Sequence, residues 1–380
     1  MLHYLHFLDD KMPGETPVAM IVSRDIALKL SSLTKIGVRQ FLVQSLIKSY
    51  DLTTKLKLVA ASKASVDDLL TYHSRDYVRL LSTDSDSATA EDLEEHGLGY
   101  DCPSQDNLLD WCLTVAGGSV TAARLLVSGQ ARLVINWAGG WHHAHRDMAA
   151  GFCYVNDIVI AIHKLQSKFK RILYIDLDIH HGDGVEEAFS STDKVLTFSI
   201  HKMEPGFFPG SGHLADIGSG RGRYHSINVP LAEGVTDSMY TSVFSSLLPL
   251  IMTRYKPDCL VVQCGADCLV GDPLGGFNLT PTALSDCVKE LMTYHIPLLV
   301  LGGGGYNREN TARCWTAITA AILGTPLDDD IPDEDHYFTS YGPDFTVGIS
   351  AGCVKNKNKQ EDIDLMISTI KANIELINKL

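Results

Sequence analysis

Residues 172–189 read Ile-Leu-Tyr-Ile-Asp-Leu-Asp-Ile-His-His-Gly-Asp-Gly-Val-Glu-Glu-Ala-Phe. The β-rich apolar run Ile172–Ile175 ends abruptly in carboxylates, imidazoles and glycine, and the same form recurs along the chain. Leu133–Asn136 runs into Trp137-Ala-Gly-Gly-Trp-His142-His143, Leu260–Gln263 into Cys264-Gly-Ala-Asp267, and Leu298–Leu301 into Gly302-Gly-Gly-Gly-Tyr306, with a further run at Val195–Ile200. Helical patterns lie between several of these, as at Ser104–Val127 and Thr280–His295. Apolar runs that are continuous rather than alternating, and separated by helices, are what a parallel sheet buried on both faces requires. The fold class is therefore α/β. In such sheets ligands bind beyond the carboxyl ends of the strands, where these polar segments converge.

Outward from this frame, residues 1–17 show no clear period, end in the turn-like Pro13-Gly-Glu-Thr-Pro17, and read as a peripheral tail. From Val18 to Leu80 short apolar runs alternate with helical patterns. Ser82–His96 gathers six acidic residues and reads as a solvated loop or short helix. Glu361–Leu380 spaces Ile363, Met366, Ile367, Ile370, Ile374 and Ile377 as a terminal helix packed on the body. No internal repeat and no linker divides residues 18–380. With 380 residues, 45% of them hydrophobic and 21% charged, the chain has the apolar content for a large core, which excludes a disordered protein. Its formal charge of -14 argues against direct nucleic-acid binding. No uninterrupted apolar run approaches the roughly 20 residues of a membrane span, and the start lacks a basic region followed by an apolar segment, so no membrane and an intracellular setting are expected. Nine cysteines without a CxxC pair argue against a disulfide framework or a cysteine-ligated zinc.

Asp176, Asp178 and His180 stand at i, i+2 and i+4, a metal-ligand spacing on an extended chain. Two carboxylates and an imidazole suit Zn or Fe(II), and three protein ligands leave a position open for chemistry. Asp178, His180 and Asp267 are the expected ligands, with Asp176 an acceptor behind them. The bland alternative, helix-capping carboxylates and a surface histidine, is as good for a lone DxDxH. Adjacent histidines on a turn cannot easily ligate one metal, so His142 and His143 are assigned acid–base roles, each oriented by a carboxylate, Asp176 or Asp183. Tyr306, after four glycines, can reach in as an oxyanion donor. Phe152 and Phe208 lie on Gly/Pro loops and are candidate walls of a narrow tunnel, though local packing is an equal reading of each. The glycine run lacks the marks of a P-loop or a dinucleotide fold.

The motifs NWAGGWHHA, AGFCYVND, YIDLDIHHGDGVEEAF, GFFPGSG, QCGADCLVGDPL and LGGGGYNRENTARCW, with GYDCP at Gly99–Pro103, resemble those of the zinc-dependent class I histone deacetylases. The likeness runs from about Val18 to the C terminus. It implies a three-layer α/β/α arginase/deacetylase fold with a central eight-stranded parallel sheet, in one catalytic domain over 18–380. It also implies hydrolysis of acetyl-lysine in histones and other nuclear proteins, cohesin subunits among them, in nucleus and cytoplasm. Zinc would be held by Asp178, His180 and Asp267. His143 would act as general base and acid, His142 would assist electrostatically, and Tyr306 would polarise the acyl carbonyl. Gly151, Phe152, Phe208 and Leu274 would grip the lysine methylenes, and Asp101 would accept the peptide's amide protons. Arg39, Gly139 and Gly140 would adjoin an inner channel. Potassium would sit on Asp176, Asp178, His180, Ser199 and Ile200, with a second site at Phe189, Thr192 and Val195. Gly-Asp-Pro at 271–273, where corepressor-dependent class I enzymes carry an arginine, implies no corepressor requirement.

Three departures stand out. Leu274 is a methionine in the class I branch that otherwise fits best, which implies a less adaptable wall. His225 replaces a tyrosine near the second cation site, and Phe41 replaces a regulatory serine. Two other functions compete with lysine deacetylation. Polyamine deacetylases of this fold tend to carry a glutamate where Leu274 stands, and a silent binding module would lack one of the ligands or bases.

Overall fold

In a computed structural model, which describes residues 17–83 and 88–377, eight strands form one all-parallel sheet. In chain order they are β1 (Ala19–Val22), β2 (Lys57–Ala60), β3 (Leu133–Asn136), β4 (Ile172–Asp176), β5 (Val195–Lys202), β6 (Ser226–Leu231), β7 (Cys259–Gln263) and β8 (Leu298–Leu301). Their order across the sheet is β2-β1-β3-β8-β7-β4-β5-β6. Five strands lie where their apolar runs predict them. β1, directly after the tail, and β2 fall in the Val18–Leu80 stretch of short apolar runs, and β6 is additional.

Because successive strand residues point to opposite faces, each central strand feeds two cores. Leu173 and Ile175 of β4 pack with the helices Arg39–Ser49, Asp237–Tyr255, Pro281–Met292, Arg308–Ile322 and Gln360–Ile374. Ile172 and Tyr174 pack on the other side with the helices Leu108–Ser128, Asp157–Leu165 and Asp183–Phe189. Three α/β/α layers result. Local sequence sets where the helices begin and end. Thr280 caps Pro281–Met292 with proline at the first position, and Gly129, at φ 74°, stops Leu108–Ser128.

Two helix boundaries need correction. Leu108–Ser128, 21 residues, has the length and composition of a membrane span, although no uninterrupted apolar run in it approaches 20 residues. Thr, Ser, Gly and Arg124 interrupt the run without making the helix polar, and its apolar side chains are buried in the protein's own core. The helix also starts at Leu108 rather than Ser104, because Asn107 holds a left-handed φ of 56°. The terminal helix stops at Ile374, although Ile377 is still buried. Residues 378–380 of the terminal segment, 1–16 of the tail and 84–87 of the acidic segment lie outside the described residues.

Register positions the site. Asn136 pairs with Leu301, Leu301 with Gln263, Gln263 with Asp176, and Asp176 with Ser199, so β3, β8, β7 and β4 end in one row while β5 runs on beside it to Lys202. The loops that follow those four carry His142 and His143, Tyr306, Asp267, and Asp178 with His180.

Candidate active site

Asp176, the last residue of β4, is fully buried. Its Oδ2 accepts from Tyr174 Oη at 2.6 Å and pairs with His142 Nδ1 at 2.8 Å, while Oδ1 accepts from the Asp178 amide at 3.1 Å. The chain bends there instead of staying extended, so Asp176 turns away from the next two polar residues and acts as an acceptor behind them. Asp178, His180 and Asp267 converge, with one donor atom of each within 4.8 Å of the others. His180 Nδ1 lies 3.2 Å from Asp178 Oδ1 and 3.0 Å from Asp267 Oδ2. Gln263 Nε2 and the Gly304 amide donate to Asp178 Oδ2 at 2.8 and 2.9 Å, and the Ile179 amide donates to Asp267 Oδ1 at 3.1 Å. A side chain at Gly265 or Gly304 would overlap Asp178 or Asp267, so glycine is required where the backbone presses on these carboxylates.

This donor set fits a divalent metal. Burial and repulsion by Asp178 push Asp267 up to about 7. Asp178 stays well below the usual carboxylate range because His142, His180 and Gln263 outweigh its own burial. Burial opposes a charge on His180, yet Asp267 and then Asp178 raise it to about 10. Two buried carboxylates thus draw a positive charge into the space between them, and two oxygen donors with one nitrogen match the ligand preference of Zn²⁺ or Fe(II).

His142 and His143 are aimed by the turn before them. Asp157 accepts from the Gly140 and Trp141 amides at 3.1 and 2.8 Å and from the Ser119 hydroxyl. His143 Nδ1 lies 2.7 Å from Asp183 Oδ1, and the two imidazole centroids are 3.9 Å apart. Both Nδ1 atoms face carboxylates, which makes them protonated nitrogens and leaves Nε2 of His143 free to accept. The pair differs in environment. Burial disfavours His142 protonation, but Asp176 and then Asp178 outweigh it and raise the group to about 9. Burial and the neighbouring His142 lower His143 to about 4 despite Asp183. The carboxylates thus favour a charge on His142, and His142 in turn disfavours one on His143.

Asp101, His143, Gly151, Phe152, His180, Phe208, Leu274 and Tyr306 line one cavity of about 430 Å³. Phe208 meets His143 edge-on at 4.8 Å, and Phe152, at the strained φ of 66°, meets the Tyr306 ring at 5.6 Å. Desolvation, with Asp267 and Asp178 nearby, pushes the Tyr306 phenol well above its ordinary value, so it remains a donor. Asp101, on the exposed rim, spends one oxygen on the Gly151 amide at 2.8 Å. Arg39 Nη1 donates to the Gly305 carbonyl at 2.8 Å, and Gln263 also reaches the Gly140 carbonyl at 3.4 Å, which places Arg39, Gly139 and Gly140 behind the ligand set. Ser199 and Ile200 sit on β5 beside Asp176, with Ser199 Oγ 2.9 Å from His201 Nδ1. Phe189, Thr192 and Val195 form the turn into β5, away from the cavity.

Several contributors escaped the sequence reading. Gln263 has a signal, being the one polar residue in an apolar strand. Tyr174 and Asp157 have none, because their partners are chosen by the fold.

A histone deacetylase domain model matches residues 35–322. The protein named histone deacetylase 8 of Xenopus tropicalis is 44% identical over 346 residues, covering 90% of this chain and 94% of its own. That of Danio rerio is 42% identical over 369 residues, covering 97% of each. Histone deacetylase 1 of Homo sapiens is 42% identical over 339 residues, 88% of this chain and 70% of its own. The fold, the buried Asp/His/Asp set at its strand ends and these likenesses agree, and the chain belongs to the histone deacetylase family, as a lysine-deacetylating hydrolase of the class I type.

Proposed function

We propose that residues 18–380 act as one catalytic unit that hydrolyses the amide of N-ε-acetyl-lysine, with Asp178, His180 and Asp267 as ligands for zinc. Fe(II) suits the same donors. The observation that carries this reading is the pair of His–Asp dyads, at 2.8 and 2.7 Å, beside a buried ligand set at the floor of an aromatic-walled cavity. When bound, zinc supplies a Lewis acid and lowers the pKa of a water toward 7.

The chain's own residues do the rest. His143, neutral and held by Asp183, takes a proton on Nε2 as the C–O bond forms, then returns it to the leaving lysine nitrogen as the C–N bond breaks. His142 stays cationic and offsets the negative charge that develops beside it. Tyr306 donates its O–H to the acyl oxygen. Phe152 and Phe208 grip the methylenes and exclude water, Gly151 and Leu274 complete the tube, and Asp101 keeps an oxygen for the substrate's amides.

Acetylated histones and other nuclear proteins, cohesin subunits among them, are the proposed substrates, in nucleus and cytoplasm. Potassium would bind at Asp176, Asp178, His180, Ser199 and Ile200 and at Phe189, Thr192 and Val195. Neither a corepressor nor nucleic acid is required, and the net charge of -14 supports the latter. Arg39, Gly139 and Gly140 would border a channel for acetate.

The test compares the purified chain and Tyr306→Phe, with zinc and potassium, on an acetyl-lysine peptide and on acetylspermidine. Peptide turnover lost in the variant is expected. Turnover of the polyamine alone would overturn the substrate, and full activity of the variant would overturn the role of Tyr306.

A further inference from the structure

Asp272 belongs to no group assigned above, yet its carboxylate joins two parts of the site. Oδ1 accepts from the Leu274 amide at 2.9 Å, and Oδ2 accepts from the amides of Tyr306 at 2.7 Å and Asn307 at 3.1 Å. The Tyr306 amide belongs to the same peptide unit as the Gly305 carbonyl, which accepts from Arg39 at 2.8 Å. That peptide is therefore held at its N–H end by a carboxylate and at its C=O end by a guanidinium. Gly305, at φ 131°, cannot give way toward Thr311, whose side chain occupies the space a Cβ would need. The direction in which the Tyr306 side chain leaves the backbone follows from the plane so pinned.

Helix capping does not account for the arrangement. The helix Arg308–Ile322 already has its cap, since the Asn307 side chain accepts from the Asn310 amide at 3.1 Å. The Tyr306 amide lies outside that helix and needs no carboxylate to complete it.

We propose that Asp272 is a positioning residue that fixes the Leu274 wall and the Tyr306 phenol through one carboxylate, so that the grip on the lysine chain and the aim of the oxyanion donor are set together. This inference rests on the role given to Tyr306 above. An asparagine at 272 keeps one acceptor oxygen and gains an NH₂, so it can serve Leu274 or Tyr306 but not both. A glutamate keeps both oxygens and the charge.

The experiment measures kcat and KM of zinc-loaded Asp272→Asn and Asp272→Glu on an acetyl-lysine peptide, in the parent and in a Tyr306→Phe background, with bound zinc and the unfolding midpoint checked for each. The expected result is a fall in kcat of about 10- to 100-fold for Asp272→Asn, with KM changed less than about 3-fold and partial rescue in Asp272→Glu. In the Tyr306→Phe background the same change should cost less than about 2-fold, because a residue acting through Tyr306 has nothing left to act on. Equal losses in both backgrounds would overturn the proposal while leaving the role of Tyr306 intact. Undiminished turnover by Tyr306→Phe alone would overturn both. Should Asp272→Asn fail to fold, Asp272→Glu in the two backgrounds decides by the same comparison.

Discussion

His73 is buried, 2% exposed, and its ring is fixed at both nitrogens. Nδ1 lies 3.1 Å from the Arg146 carbonyl and Nε2 accepts from the Asn156 amide at 3.0 Å, so the neutral Nδ1–H tautomer satisfies both contacts and a second proton would break the latter. Burial lowers its pKa from 6.5 to about 4. A group whose pKa is depressed on folding binds its proton more readily in the unfolded chain. Its contribution to stability is therefore complete above about 6.5 and is lost as pH falls toward 4. A fall from 6.5 to about 4, at about 1.4 kcal/mol per unit, amounts to about 3 kcal/mol in full, of which about 2 kcal/mol is gone by pH 5. His73→Gln keeps a donor and an acceptor and does not titrate. Urea unfolding of the two proteins at pH 7.5 and pH 5 should show the parent losing about 2 kcal/mol more than the variant. Equal losses would refute the reasoning, because Asn156 and Arg146 would then not hold His73 neutral.

Other substitutions probe other links. Gly304→Ala places a methyl against Asp267 and should weaken zinc binding by about 10- to 100-fold in a chelator competition; unchanged affinity would contradict the packing described. Asp183→Asn removes the negative charge facing His143 Nδ1–H and lets an NH₂ group face the ring in the wrong tautomer, and kcat should fall on the order of 10²- to 10⁴-fold with zinc still bound. Leu173→Ala, at a side chain with no exposure beneath the sheet, should cost about 2–5 kcal/mol in denaturant unfolding without changing KM.

Strands buried on both faces were legible because their runs are almost wholly apolar, with Thr197 and Ser199 of β5 the main exceptions: β3, β4, β5, β7 and β8 are wholly buried. The others were not, for reasons of position. β2 lies at one edge and shows no buried residue over Lys57–Ala60, and β6, at the other edge, carries Asn228 and Pro230, which an edge tolerates. β1 was expected only as a short apolar run after the tail, without bounds, since its partners lie far along the chain. In the site, Asp178, His180 and the two histidines announced themselves as polar groups crowded after apolar strands. Asp157 and Asp272 could not, since each serves backbone amides 16 to 35 positions away and no local spacing records that debt.

The strand order has a consequence for synthesis. β8 is the last strand to leave the ribosome, yet it lies in the middle of the sheet, between β3 and β7. Until it arrives, the nascent chain can pair β2-β1-β3 and β7-β4-β5-β6 only as separate ribbons, each with an open edge. His142 and His143 follow a strand of the first ribbon, Asp178, His180 and Asp267 follow strands of the second, and Tyr306 comes with the strand that joins them. A chain that stops short of residue 298 lacks the Gly304 amide that Asp178 accepts from, Tyr306, and the strand that joins His142 and His143 to Asp178, His180 and Asp267, so the site is completed only once the seam has closed.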